Sequence, residues 1–257
     1  MSRLQAHFQQ KTHRNLNIYF TAGYPDRASI ESIILVLEQN GTDLIEIGMP
    51  FSDPLADGPV IQNSGKIALE KGITTNGIFE ALNTVRQKTN IPLVMMGYLN
   101  PVLQFGMDAF LERAAACGID GLILPDLPPQ VFEKDYQQLY AKYGIDPIFL
   151  ITPQTTDERM RYLDGLSQGF LYAVSSSSTT GSEASFNATH LAYFERLQQL
   201  KLRNPIMIGF GISNQKALET VFSFTSGAVV GSAFVKNIRE SEKDYGIKNF
   251  MNQLLNK

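Results

Sequence analysis

The sequence is short of several things, and each shortage narrows what the protein can be. It has a single cysteine, Cys117 in "ERAAACGID". An internal disulfide is therefore excluded, and a lone cysteine in a helical run reads as a small buried hydrophobe. No run approaches the ~18 apolar residues that a membrane span needs. The opening stretch, "MSRLQAHFQQKTHRN", contains no apolar signal core. The expectation is a soluble, cytoplasmic protein with no membrane association. Positive charge is sparse and dispersed. Lys and Arg number 22 against 25 Asp and Glu, for a net charge of −3. No basic stripe is left for a nucleic-acid backbone. A small anionic metabolite remains open, because a site can bind anions without a basic protein.

Catalytic material is also thin. The three histidines, His7, His13 and His190, fall on presumed outer or N-terminal segments. A histidine triad or a zinc centre has nothing to be built from, and no metal is expected. No lysine lies on a candidate strand or just past the sixth, which argues against a Schiff-base aldolase. Neither a dinucleotide-binding glycine fingerprint nor a P-loop is present, so nicotinamide and ATP are disfavoured.

What is present is an alternation of element types. The chain has 257 residues, 44% of them hydrophobic, enough for one sizeable core in a single domain over 1–257. Eight β-rich runs recur: "LNIYFTAG", "DLIEIGM", "IPLVMMGY", "GLILPD", "DPIFLIT", "GFLYAVSS", "PIMIGFGI" and "GAVVGSAF". Between them lie helical patterns, such as Ile30, Ile33, Ile34 and Leu37 on one stripe. Gly or Pro breaks several helices just before the next strand. Eight strand-then-helix units are the arithmetic of an α/β fold of the (β/α)8 (TIM) barrel type. An open doubly wound sheet is the alternative, but "FTAGYPD" lacks its glycine fingerprint. An additional N-terminal helix, from about Arg3 to Thr12, is expected to plug the barrel's N-terminal end.

The stretch "LIEIGMPFSDPLADGP" carries the chemistry. Strand side chains alternate between faces, so Ile45, Ile47 and Met49 share one and Leu44, Glu46 and Gly48 the other. The first set suits the outer helices. Glu46 then points into the barrel near the strand's C-terminal end, where barrel active sites lie. Burial raises a carboxyl pKa from about 4.3 towards neutrality, where the group can both give and take a proton. The alternative is a glutamate paired with a buried arginine, yet no candidate strand holds an arginine. Asp53 and Asp57 follow on a loop stiffened by Pro50, Pro54 and Pro59. Each serves either in acid–base work or in turn formation and helix capping.

Glycines mark the ends of strands seven and eight: Gly209 and Gly211 in "IGFGIS", Gly231 and Ser232 in "VVGSAF". Barrels often bind phosphate there, with backbone N–H groups and a helix N-terminus. Glycine at a strand end can equally be packing. The loop "SSSSTTGSEASF" (the 175–186 segment) is either a lid that brings Thr180 and Gly181 to the same phosphate or an ordinary surface loop. What survives the exclusions is metal-free, cofactor-free acid–base chemistry on a phosphorylated substrate.

The segment "LIEIGMPFSDPLADGPVIQ" resembles the signature of the tryptophan synthase α chain family, and "GYLNP", "GLILPDLP", "GFGIS" and "VVGSAFVK" follow in the family's order. The resemblance spans essentially the whole chain. It implies a lyase that cleaves indole-3-glycerol phosphate to indole and glyceraldehyde 3-phosphate without a Schiff base. By motif, Glu46 and Asp57 are catalytic and Tyr172 assists. Phe20, Ile61, Tyr98, Ile123, Phe149 and Phe210 would surround the indole, and Gly181, Gly211, Gly231 and Ser232 would meet the phosphate. Ser178 and Thr179 depart from the family's common Gly-Val-Thr-Gly, while Thr180 and Gly181 keep its pattern. The family works with a β chain that carries pyridoxal phosphate, in an α2β2 complex. Asp53, Pro54 and Pro128 would face that partner. A related isomerase, an indole-glycerol-phosphate synthase and a non-catalytic activator of the β chain are the competing readings. The synthase is expected to need a strand-borne lysine, and the activator to have lost a carboxylate.

Overall fold

The computed structural model of the chain describes residues 1–174, 186–209, 211–238 and 243–256. Its strands are β1 (Asn15–Thr21), β2 (Leu44–Gly48), β3 (Leu93–Met96), β4 (Gly121–Ile123), β5 (Asp146–Ile148), β6 (Leu150–Ile151), β7 (Leu171–Val174), β8 (Ile206–Gly209) and β9 (Gly227–Val230). All pairings are parallel, in the order β5-β4-β3-β2-β1-β9-β8-β7-β6. The two edge strands, β5 and β6, are halves of one strand interrupted at Phe149, so the sheet curls back on itself. The Tyr172 N–H donates to the Phe149 carbonyl at 3.0 Å across that seam. The result is a nearly closed barrel with helices outside. The eight strand positions expected from the sequence are all occupied, and the ninth strand is this break in the fifth.

Alternation along the strands creates two cores. Leu16, Ile18, Phe20, Ile45, Ile47, Leu93 and Met95 pack outward against the helices. Leu44, Val94, Ile123, Ile148, Tyr172, Met207 and Val229 fill the barrel interior. Each strand thus splits its side chains by parity, as a pleated strand buried on both faces must. One helical run has a physical surprise. Phe132, Tyr136, Leu139 and Tyr143 keep a helical spacing of four, three and four residues, yet Phe132–Tyr136 widens into a π-helical turn between α-helical pieces.

The N-terminal helix, Arg3–Gln10, closes the barrel's lower end. Ser2 caps it, accepting from the Gln5 N–H, and its hydroxyl donates to Asp146 at 2.5 Å. Arg3 reaches Asp120 at 2.8 Å, and Lys11 reaches Asp43 at 2.7 Å. Leu4 and Phe8 drop from this helix into the interior core, with the Phe8 ring 6.0 Å from Phe170. Leu4 is fully buried. Replacing it by Ala should cost about 2–5 kcal/mol, the range for truncating a buried leucine. Denaturant unfolding should show a lower midpoint with an unchanged slope, and an unaltered midpoint would mean that the helix is not part of the cooperative core.

Candidate active site

The interior layers of β1 to β3 bring an acid and its surroundings together. Tyr19, Glu46 and Val94 are cross-strand partners in register, so their side chains share the interior face. Glu46 is fully buried. Its Oε2 accepts from Asn17 Nδ2 at 3.1 Å, while Oε1 has no partner among the described residues. Burial without a counter-charge pushes its pKa up to about 8, and the Asn17 bond only partly offsets this. Among the described residues no arginine pairs with it, and the ion-pair alternative finds no support there.

Asp57 sits on the loop after β2, and helix capping does not explain it. The following helix, Pro59–Glu70, has Gly58 as its N-cap and no side-chain cap. Instead the Tyr98 hydroxyl, just past β3, donates to Asp57 Oδ2 at 3.4 Å and accepts the Ala56 N–H at 3.0 Å. The Tyr98 ring also lies 5.1 Å from that of Phe51. One tyrosine thus ties down both ends of the acidic loop. Burial pushes Asp57 up to about 6, against the lowering effect of Tyr98. Asp53 is exposed and takes a bond from Ser52.

Two tyrosines lie beside the carboxyls. Tyr172 (β7) and Tyr19 are both held neutral by burial, and each is raised further by the charges of Glu46 and Asp57. Glu46, Asp57, Tyr19 and Tyr172 therefore form one electrostatic neighbourhood. Two glycines make room for it. A Cβ at Gly48 would collide with the Tyr19 hydroxyl, and one at Gly209 with the Tyr172 hydroxyl. Gly209 thus serves close packing, the other reading of the glycine at that strand end.

The apolar lining differs from expectation at two positions. Phe20 and Phe149 belong to the outer core, and Phe149 stacks edge-on with Phe132 at 5.2 Å. They face the helices because each is one residue out of phase with the interior. Their chain neighbours Tyr19 and Leu150, with Met96 and Val174, pack on the interior core and are only partly buried. Partial exposure on an otherwise buried strand marks the open mouth of the barrel. These four residues line the mouth, and strict alternation counted from Glu46 and its paired strands points to them. Ile123 does lie in the interior core, and Ile61 is half-buried in the helix after the acidic loop.

Of the phosphate candidates, Gly211 is exposed with a φ of +76°. Gly231 is the N-cap of the helix Ser232–Asn237 and lies against the Tyr19 side chain, where a Cβ would approach at 3.4 Å. Ser232 is half-buried. Thr180, Gly181 and Phe210, with Ser178 and Thr179, lie outside the described residues. Pro54 is half-buried and Pro128 exposed, on loops at the same C-terminal end of the barrel as Asp57. Among the described residues no group of His, Cys, Asp and Glu is arranged to hold a metal, and no helix is long and apolar enough to cross a membrane.

The buried carboxyl has a thermodynamic signature. In the folded chain Glu46 holds its proton up to about pH 8, whereas in the unfolded chain it releases it near the ordinary carboxylate value. The native state therefore binds more protons between those limits, and stability falls as pH rises through that window. Glu46→Gln removes this slope. Its stability relative to wild type should rise from about pH 5 to pH 8, by ~3 kcal/mol at pH 7. Parallel stability–pH curves for the two proteins would show that Glu46 is not held neutral.

A family model described as "Tryptophan synthase alpha chain" matches residues 5–256. The tryptophan synthase alpha chain of Christiangramia forsetii is 51% identical over 90% of this chain and 91% of its own length. That of Flavobacterium johnsoniae is 51% identical over 90% and 92%. Among solved structures, tryptophan synthase subunit alpha from Legionella pneumophila superposes with a TM-score of 0.87 at 31% identity, covering 99% of this chain and 96% of that one. The alpha subunit from Pyrococcus furiosus gives 0.86 at 33% identity, covering 95% and 99%. With nearly its whole length matched by the family model and half of its aligned residues identical to such relatives, the chain belongs to the tryptophan synthase alpha chain family.

Proposed function

We propose that this chain cleaves indole-3-glycerol phosphate to indole and glyceraldehyde 3-phosphate, with Glu46 as the proton carrier and Asp57 as the anion that meets the indole N–H. The observation that carries this reading is the split between the two carboxyls, about 8 and about 6. Near neutral pH Glu46 is mostly a neutral acid and Asp57 mostly an anion, and such a split assigns acid and base roles.

The steps balance on these groups alone. Glu46 gives its proton to the ring carbon that bears the side chain, leaving positive charge on the indole nitrogen. The Asp57 carboxylate stabilises that charge. The Glu46 carboxylate then takes the proton of the adjacent side-chain hydroxyl as the carbon–carbon bond breaks. Indole leaves with its aromaticity restored, the aldehyde forms, and Glu46 is again protonated. Tyr172 and Tyr19, both neutral phenols, orient groups in the mouth. The apolar ring rests against Met96, Leu150, Val174 and Ile123. The phosphate goes to the glycine-rich ends of β8 and β9, with Gly211, Gly231 and Ser232, and to Thr180 and Gly181.

The family implies a β-chain partner. We place its docking face at the acidic-loop end of the barrel, in an α2β2 assembly in the cytoplasm, with pyridoxal phosphate on the β chain. The exposed loop supports this: Asp53 is exposed, Leu55 next to Pro54 is 91% exposed, and Pro128 is exposed nearby. An apolar side chain this open on a proline-stiffened loop suits a buried anchor.

Two experiments test these proposals. The rate of indole release should follow a bell in pH, with limbs near about 6 and about 8. Glu46→Gln should lose on the order of 10²–10⁴ in rate, and Asp57→Asn should lose the acid limb along with much of kcat. Full activity in Glu46→Gln would discard the assignment. In the second experiment the chain should co-elute with a β chain and release indole faster when bound. Leu55→Glu should weaken that co-elution about tenfold or more while leaving the free chain's own rate intact. Equal co-elution of both proteins would move the interface elsewhere.

A further inference from the structure

The interior of β1 holds a polar residue that none of the roles above uses. Asn17 is fully buried, in register with Leu44 and one step below Tyr19. Its Nδ2 donates to Glu46 Oε2 at 3.1 Å, and its own Oδ1 has no partner among the described residues. The layer around it is apolar, with Leu44, Val94, Met207 and Val229. A buried amide oxygen left unsatisfied costs about 1–3 kcal/mol, and an apolar side chain of the same shape would avoid that cost. Asn17 is therefore a poor choice for stability. Its one visible employment is the bond to Glu46.

We propose that Asn17 is a positioning residue for the cleavage, holding Glu46 by one oxygen so that the other, Oε1, is the one that gives and takes the proton. This rests on Glu46 being the proton carrier. In a neutral carboxyl one oxygen carries the hydrogen and the other keeps the better lone pairs. The Nδ2–H bond claims Oε2 as the acceptor, so the hydrogen sits on Oε1. After the proton leaves, the same bond stabilises the carboxylate and keeps its proton affinity within reach of neutral pH. The groups that bear on Glu46 from elsewhere are the phenols Tyr19 and Tyr172, both neutral, and Asp57 on the loop above. None of these is cationic, so Asn17 is what tempers the effect of burial on Glu46.

The test is Asn17→Leu, with Asn17→Ala as a second variant that makes no demand on space. Glu46 is titrated directly by difference infrared spectroscopy of its carboxyl stretch, and indole release is followed across pH. The expected result is a folded protein, with Asn17→Leu close to wild type in stability because relief of the unpaired amide oxygen offsets the lost bond to Glu46, and Asn17→Ala somewhat less stable. The Glu46 midpoint should rise by about one pH unit, and the alkaline limb of the rate profile should move with it. The fall in kcat should be about tenfold, with KM changed by less than about twofold. A merely structural role would shift stability and leave the titration in place. A Glu46 midpoint and an alkaline limb that superimpose on the wild type in either variant would overturn the proposal. Glu46→Gln separates the two ideas: if it keeps full activity the proton-carrier reading fails, while the infrared titration still reports whether Asn17 governs the Glu46 proton.

Discussion

A carboxyl at the centre of a parallel barrel can remain protonated near neutral pH only if the wall around it keeps water out and supplies no cation. The interior of this barrel meets both conditions. Glu46 is surrounded by Leu44, Val94, Tyr19 and Tyr172, and its one hydrogen bond among the described residues comes from a neutral amide. An arginine at any of those places would hold it ionised and end its use as an acid. The apolar packing, the missing strand lysines and arginines, and the glycines at 48 and 209 that admit two phenol rings all serve that condition. The interior is thus built around a group that folding alone would exclude.

Asp57 shows the other half of the arrangement. It belongs to a loop, is only partly buried, and is held by the Tyr98 hydroxyl rather than by the helix that follows. Three prolines reduce the freedom the loop must give up on folding, and the Tyr98–Phe51 contact adds an apolar footing. A rigid loop can hold a charge at the rim of a wet mouth, whereas a strand holds a neutral acid in the dry floor. Two carboxyls of similar intrinsic acidity are separated because one sits on each kind of element.

Much of this was legible in the sequence because parallel strands obey a period of two. Placing Glu46 inward with Leu44 and Gly48 required only that rule, and so did sending Ile45 and Ile47 outward. The same rule explains the misplacements. Phe20 and Phe149 match the family's motif but stand one residue out of phase with Glu46, and a shift of one residue turns a side chain to the opposite face. Tyr19 and Leu150 were the residues in phase. Other features had no sequence signal. The break at Phe149 depends on how the sheet closes. The Tyr98–Asp57 bond joins residues from two different strand ends. Asn17 carries no sequence signal because its partner Glu46 lies on the neighbouring strand.

The lower end of the barrel shows why the upper end can hold such groups. Asp43 and Asp120, just ahead of β2 and β4, accept the backbone N–H groups of Leu16 and Leu93 and are clasped by Lys11, Arg3 and Arg86. The N-terminal helix adds Leu4 and Phe8 to the interior. The carboxylates there are each held by cations or neutral donors, with Ser2 and Gln5 on Asp146, and Leu4 and Phe8 seal the core. Inside the barrel, Oε1 of Glu46 and Oδ1 of Asn17 lack partners among the described residues, and at the mouth Tyr19, Met96, Leu150 and Val174 are left part-open. Unsatisfied groups cost stability wherever they occur. The two inside the barrel face each other across the Asn17–Glu46 bond, and the tightly closed lower end supplies stability that lets them persist.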